Sequence, residues 1–230
     1  MLHLVIADAE LEQVPNEIAG HPVVQRSARK RGRKPAELIL NSSLHHPAMK
    51  KLKDQERRGR PDIIHFTLLM ALDAPLNREG LLRVYVHTRQ NKLITVDPSA
   101  DLPRAYSRFE GLVEQLFLTG AVPPEAPLLR LEQGTISEIV RKIKPKKVVT
   151  LSEKGERKRP EDIFDGVSAD EEVCVLVGGF PHGDYLSDVG KISDEFVSID
   201  PEALAVPTVV SRLIQAYEER FGVKERRMKR

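Results

Sequence analysis

The chain opens on a short apolar stretch, Leu2-His3-Leu4-Val5-Ile6-Ala7, closed by Asp8 and Glu10. A run of this length bounded by acids reads as a buried strand. Apolar positions then take helical spacing. Val23 to Arg33 reads as a basic helix stopped by Pro35, and Ser43 to Lys53 as a second helix with Ala48, Met49 and Leu52 on one face. Pro61 suits a first helical position and Asp62 a first turn, so Ile63 to Leu72 continues as an apolar helix that Asp73-Ala74-Pro75-Leu76-Asn77 ends. Leu81 to Thr88 and Lys92 to Val96 pattern as a strand pair across Arg89-Gln90-Asn91. Arg104 to Leu118 is predicted helical, with Phe109, Leu112, Val113, Leu116 and Phe117 at core spacing. Pro123, Pro124 and Pro127 read as a linker.

The second half alternates. A helix at Ser137 to Ile143 and a strand at Lys147 to Leu151 come first. A polar segment from Arg157 to Asp170 lacks apolar periodicity, so a mobile charged loop is expected over about 153–171. A strand at Val173 to Val177, a glycine-rich loop, a short strand at Glu195 to Ile199 and a helix at Thr208 to Phe221 follow, with a charged tail expected to fray. Strands alternating with helices predict an α/β domain over 1–230, its mostly parallel sheet flanked by helices.

Composition narrows the class. Hydrophobic residues make up 40% and charged residues 30%, the balance of a soluble globular protein. No apolar run approaches the ~20 residues of a membrane span, and the N-terminal run is too short for a signal peptide. A cytoplasmic protein is expected. The single cysteine, Cys174, excludes an intramolecular disulfide, leaves no zinc pattern and lies in an apolar run that favours a buried thiol. No metal site is expected.

Charge changes the picture further. The net charge of +2 conceals 12 Lys/Arg against three acids from Arg26 to Arg60, and nine against two from Arg141 to Pro160. Two basic blocks fit a nucleic-acid binder, with a solvated helix face and a flexible loop as the plain alternative.

Gly178-Gly179-Phe180-Pro181-His182-Gly183-Asp184 carries the sharpest chemical signal. It follows an apolar strand directly, where the backbone of an α/β sheet meets ligands. Its spacing is not that of a dinucleotide fold, and Asp184-Tyr185 stands where a phosphate loop needs Lys and Ser or Thr. A ligand without phosphates fits better, and a tight strand-to-helix turn is the alternative. The loops after Leu151 and after Ser198 end at comparable places, so the three together can enclose one small ligand. Arg60 and Asp62 flank one helix start, where an ion pair can aim the guanidinium at a phosphate. Arg104 and Arg108 fall on one helix face at the end where the dipole disfavours cations, and Asp73 ends a helix where it disfavours anions. Each has a bland reading as a surface or capping residue. His182 reads as a loop-ordering residue.

Taken together, these stretches resemble the small-subunit ribosomal RNA pseudouridine N1-specific methyltransferases, a branch of the SPOUT class. The likeness runs in order through Arg60-Pro61-Asp62-Ile63 to Asn77, Leu82 to Thr88, Pro103 to Phe109, Val177 to Asp184 and Ser198 to Leu204. It implies a deep trefoil knot in the C-terminal part, about 173–222, a homodimer, and S-adenosyl-L-methionine as cofactor. By matching position, Leu151, Val177, Gly178, Gly179, Gly183 and the Ile199-Asp200-Pro201-Glu202-Ala203-Leu204 loop would hold the cofactor. Arg60, Asp62, Arg104 and Arg108 would hold RNA within a basic region of about 22–60 and beyond, with Asp73 as the group that accepts or orients the N1 proton. Many family members carry a third basic residue three positions before Arg104, where this chain has Asp101. The implied partners are small-subunit ribosomal RNA and ribosomal proteins during assembly. The rival readings are a non-catalytic RNA-binding assembly factor and a SPOUT enzyme methylating another RNA atom.

Overall fold

In the computed structural model, which describes residues 1–229, the strands are β1 (Leu2–Ala9), β2 (Leu82–Thr88), β3 (Lys92–Val96), β4 (Ala121–Val122), β5 (Leu129–Gln133), β6 (Lys147–Arg157), β7 (Val173–Gly178) and β8 (Glu195–Ser198). Every residue of β1 is buried, as an apolar run without alternation requires, and it pairs in parallel with β2 on one side and β7 on the other. β6 and β8 extend the parallel part, while β3, β5 and β4 form an antiparallel flank, in the order β4-β5-β3-β2-β1-β7-β6-β8. The expected α/β class and mostly parallel sheet are therefore present.

The helices are α1 (Asn16–Ala19), α2 (Pro22–Arg31), α3 (Ser42–Met49), α4 (Pro61–Asp73), α5 (Pro75–Arg78), α6 (Tyr106–Thr119), α7 (Ile136–Ile143), α8 (Val206–Arg220) and α9 (Val223–Met228). On one face of the sheet, Ile64 and Leu68 of α4, Phe109 and Val113 of α6, and Val210, Leu213 and Tyr217 of α8 meet Leu4, Ile6 and Val84 in the main core. α7 covers the other face through Ile136 and Ile139 beside Val5, Cys174 and Leu176. Burial pushes the Cys174 thiol up to about 12, so it stays protonated. A second, smaller core of Val24, Ala28, Leu38, Leu40, Ala48, Met49 and Leu52 holds the basic region together.

Four expectations need correction. The supposed mobile loop over 153–171 is ordered: β6 runs on to Arg157, and Ile163 and Phe164 are fully buried, Phe164 meeting Tyr217 edge-on at 5.2 Å. Two adjacent apolar residues inside a polar stretch have no period, so pattern alone cannot find them. The proline-rich linker belongs to a hairpin between β4 and β5 on the sheet edge. The tail does not simply fray, since α9 buries Val223 and Arg227 reaches Glu79 at 2.7 Å. The helix expected from Arg104 begins only at Tyr106, leaving Arg104 in the bend before it.

Candidate functional site

All five parallel strands point the same way, so the loops after β6, β7 and β8 emerge side by side. Between them lies a cavity of about 150 Å³ lined by Leu151, Val177, Gly178, Gly183, Ile199, Asp200, Glu202, Ala203 and Leu204, with Val197 and Val209 as further apolar wall. Two residues placed there by sequence take other positions. Gly179 is buried behind the loop, its N–H donating to the Ala7 carbonyl at 2.7 Å, and a Cβ on it would sit 2.8 Å from Ala9 Cα. Pro201 faces a neighbouring groove of about 720 Å³ that also touches Ile199 and Asp200.

The loops are pinned from several sides. Asp8, with positive φ, is buried at the end of β1 and accepts hydrogen bonds from the N–H groups of Leu186 and Ser187 at 2.7 and 2.9 Å and from the Ser187 hydroxyl at 2.6 Å. Burial alone would raise its carboxyl, but the hydrogen bonds with His87 and Ser187 outweigh it and hold the group below the usual aspartate range. Tyr185 donates to the Leu151 carbonyl at 2.8 Å, joining the β6 and β7 loops. Its phenol is pushed up by burial and donates as the neutral form. Lys154 and Asp184 pair at 2.7 Å across the cavity mouth, and Arg212 holds Asp200 at 2.7 Å. His182 lies 3.3 Å from the Glu56 carbonyl, in keeping with a loop-ordering role.

The arginine face is built differently. Arg60 makes the expected fork on Asp62, at 2.9 and 2.8 Å, while remaining about a third exposed. Arg108 lies in the first turn of α6 and Arg104 in the bend ahead of it, so they do not share one helix face. That bend is held by His65, whose Nε2 lies 2.7 Å from the Pro103 carbonyl and whose ring stacks on Phe109 at 4.4 Å. Tyr106 adds a half-buried hydroxyl beside Asn41, at 3.1 Å, its pKa raised by burial and by nearby Glu110.

Asp73 is not near the cavity in this chain. α4 starts beside the end of β1, where the Arg60 N–H donates to the carbonyl of Glu10, whose own N–H reaches the Gly179 carbonyl. Its 13 residues carry the chain ~20 Å toward the opposite edge. There Asp73 is exposed, pairs with Arg78 at 2.5 Å, and lines an open groove of about 1330 Å³ shared with Arg104, Phe66, Met70 and Ile214. The groove is the larger space, but the smaller cavity has the enclosing loops and the glycine backbone.

The two basic blocks also part company. In the first, Arg31, Arg57, Arg58 and Arg60 point to acids, whereas Arg26, Arg29, Lys30, Lys50, Lys51 and Lys53 are exposed and have no ion pair among the described residues. In the second, Lys147 and Lys158 hold Glu195, Lys154 holds Asp184 and Arg159 holds Asp162, so much of its charge is neutralised locally.

Sequence reasoning missed Asp8, Glu10, Arg57, Arg89 and His65. The one available signal was a cluster of acids, Asp8, Glu10 and Glu12, directly after an apolar strand. All three are buried.

The family model described as EMG1/NEP1 methyltransferase matches residues 4–218. The chain is 47% identical to the Ribosomal RNA small subunit methyltransferase Nep1 of Thermococcus kodakarensis over 223 residues, covering 97% of this chain and 100% of that protein. It is 47% identical to the protein of the same name from Pyrococcus furiosus over 217 residues, or 94% and 96%. The fold is similar to the crystal structure of Archaeoglobus fulgidus Nep1 bound to S-adenosylhomocysteine, with a TM-score of 0.84, 38% identity, and coverage of 95% of this chain and 97% of that one.

Proposed function

The chain belongs to the EMG1/NEP1 methyltransferase family, and on that premise we propose that it transfers a methyl group from S-adenosylmethionine to N1 of a pseudouridine in small-subunit ribosomal RNA. The observation that carries this reading is the loop-enclosed cavity at the ends of β6, β7 and β8. Its residues fit the cofactor. Val177, Val197, Leu204 and Val209 offer an apolar wall for a flat purine ring. Among the described residues the N–H groups of Ala203 and Leu204 have no hydrogen-bond partner, and they can meet ring nitrogens. Of the lining carboxylates, Glu153 and Glu202 have no ion pair among the described residues and suit a ligand that carries a sulfonium and an ammonium and no phosphate.

S-adenosylmethionine supplies an electrophilic methyl group, so the protein's work is orientation and proton handling. The pinned loops fix the cofactor's place. Arg60, Arg104 and Arg108 hold phosphates of the RNA, and an unpaired or flipped nucleotide is the expected target. N1 of pseudouridine carries a proton that must leave, and Asp73 is our candidate to accept or orient it. Because Asp73 lies at the far end of α4 from its own cavity, this reading makes it act across a homodimer. The exposed Phe66 beside Met70 and Ile214 along the groove is the apolar surface such a dimer would cover. The remaining parts of the reading are the knotted threading of 173–222, a cytoplasmic site of action and contact with ribosomal proteins during assembly; no helix among the described residues is long and apolar enough to cross a membrane.

Two experiments test this. Label from S-adenosylmethionine should enter a hairpin containing pseudouridine and not the uridine hairpin; equal labelling of both would favour another RNA atom, and none a non-catalytic assembly factor. Mixing inactive Asp73→Asn and Gly183→Arg proteins should restore activity in the mixed dimer. Full activity of Asp73→Asn alone would remove Asp73 from the mechanism.

A further inference from the structure

The cofactor loop and the RNA-binding helix start meet at Glu10. Its N–H donates to the Gly179 carbonyl at 3.1 Å, and its carbonyl accepts from the Arg60 N–H at 3.0 Å. Its side chain is fully buried and grips two arginines, Arg57 Nε at 2.6 Å and Arg89 Nη1 at 2.8 Å. A buried carboxylate needs such partners, because an uncompensated charge there is costly.

Of the two arginines, only Arg57 touches the loop. Its Nη1 donates to the Asp184 carbonyl at 2.9 Å, and its guanidinium lies over the Phe180 ring, 4.4 Å from the centroid. Phe180 in turn packs under Gly178, so closely that a Cβ on Gly178 would lie 2.5 Å from the ring. Arg57 also stands three residues before Arg60, on the segment that enters α4. Arg89 shares the carboxylate but turns away to Asp54, at 3.2 Å.

We infer that Arg57, clamped by Glu10, is a positioning residue that sets the Gly178–Asp184 cofactor loop against the Arg60 end of α4, so that cofactor and RNA bind with positive coupling. The fork is needed because three jobs converge on one planar group: an ion pair, a hydrogen bond to a carbonyl and stacking on an aromatic ring. A lysine keeps the charge and loses the geometry. The inference rests on the cofactor reading of the loop given above.

The test uses calorimetry with S-adenosylhomocysteine on wild type, Arg57→Lys and Arg89→Lys, and RNA binding to a pseudouridine hairpin with and without S-adenosylhomocysteine. Arg57→Lys should weaken S-adenosylhomocysteine by about tenfold or more, while Arg89→Lys leaves it unchanged although it disturbs the same carboxylate. Wild type should bind the hairpin more tightly with S-adenosylhomocysteine present, and Arg57→Lys should lose that gain. Equal weakening by both variants means the carboxylate acts through stability alone and overturns the inference. So does normal cofactor affinity in Arg57→Lys, or wild-type RNA affinity indifferent to S-adenosylhomocysteine. Should Arg57→Lys not fold, the isosteric Glu10→Gln decides by the same readouts. A wild type that binds no S-adenosylhomocysteine would sink the cofactor reading and the inference together.

Discussion

The loop-enclosed cavity and the arginine face lie on the same chain but are built on opposite principles. The cavity is made of backbone: glycine positions, strand ends and loops tied down by inward-facing groups such as Asp8, Tyr185 and Arg57. The arginine face is made of side chains that keep much of their surface in water, with Arg60 pre-aimed by Asp62, and Arg104 and Arg108 exposed. A small ligand of fixed shape rewards a preformed site, whereas a flexible nucleic acid would suit long charged side chains. The cavity should therefore fail when its frame is disturbed, and the arginine face only when its charges are removed.

The largest expected effect comes from the frame. Gly179→Ala would press a methyl group onto Ala9 backbone and Ile6, where neither can yield. It should lower stability by about 1–3 kcal/mol and weaken the cofactor, as read by denaturant unfolding and calorimetry. Next, replacing Arg104 and Arg108 by Ala together should leave S-adenosylhomocysteine binding intact and flatten the salt dependence of RNA binding by about 0.7 for each lost phosphate contact. A change in cofactor affinity there would break the comparison.

Asp8→Asn should have a smaller effect with a distinctive pH signature. Because the folded carboxyl titrates below its unfolded value, its stabilisation is complete above the ~3.9 of an unfolded aspartate and is lost as pH falls through the folded value. The variant should thus be less stable than wild type by about 1 kcal/mol near neutrality, and the gap should close in acid. The smallest effect is expected for Lys154→Ala. Its pair with Asp184 is largely exposed, so the loss should be under ~0.5 kcal/mol and vanish in high salt.

How legible these regions were in the sequence follows the same division. β1 and β7 were readable as apolar runs, α4 from Pro61, and the glycine loop from its place after a strand, because each signal is local. The arginines proposed to hold RNA come from family likeness, yet the bend that holds Arg104 depends on His65 of another helix. Long-range pairing was invisible: Glu10 and Arg57 are 47 positions apart, and nothing local told Arg57, which faces inward, from Arg26 or Arg29, which face water. For the same reason the second basic block looked like a nucleic-acid surface although Glu195, Asp184 and Asp162 neutralise much of it. The separation of Asp73 from the cavity needed the direction of α4, which only the folded chain supplies.

The most direct test of this division is a titration of S-adenosylhomocysteine into purified protein without RNA, wild type beside Gly183→Arg. Gly183 has positive φ and faces both the cavity and Arg57. A preformed cavity predicts binding by wild type alone, loss of binding in Gly183→Arg, and RNA affinity retained by both. Binding by wild type only when RNA is present, or equal binding by the variant, would contradict it.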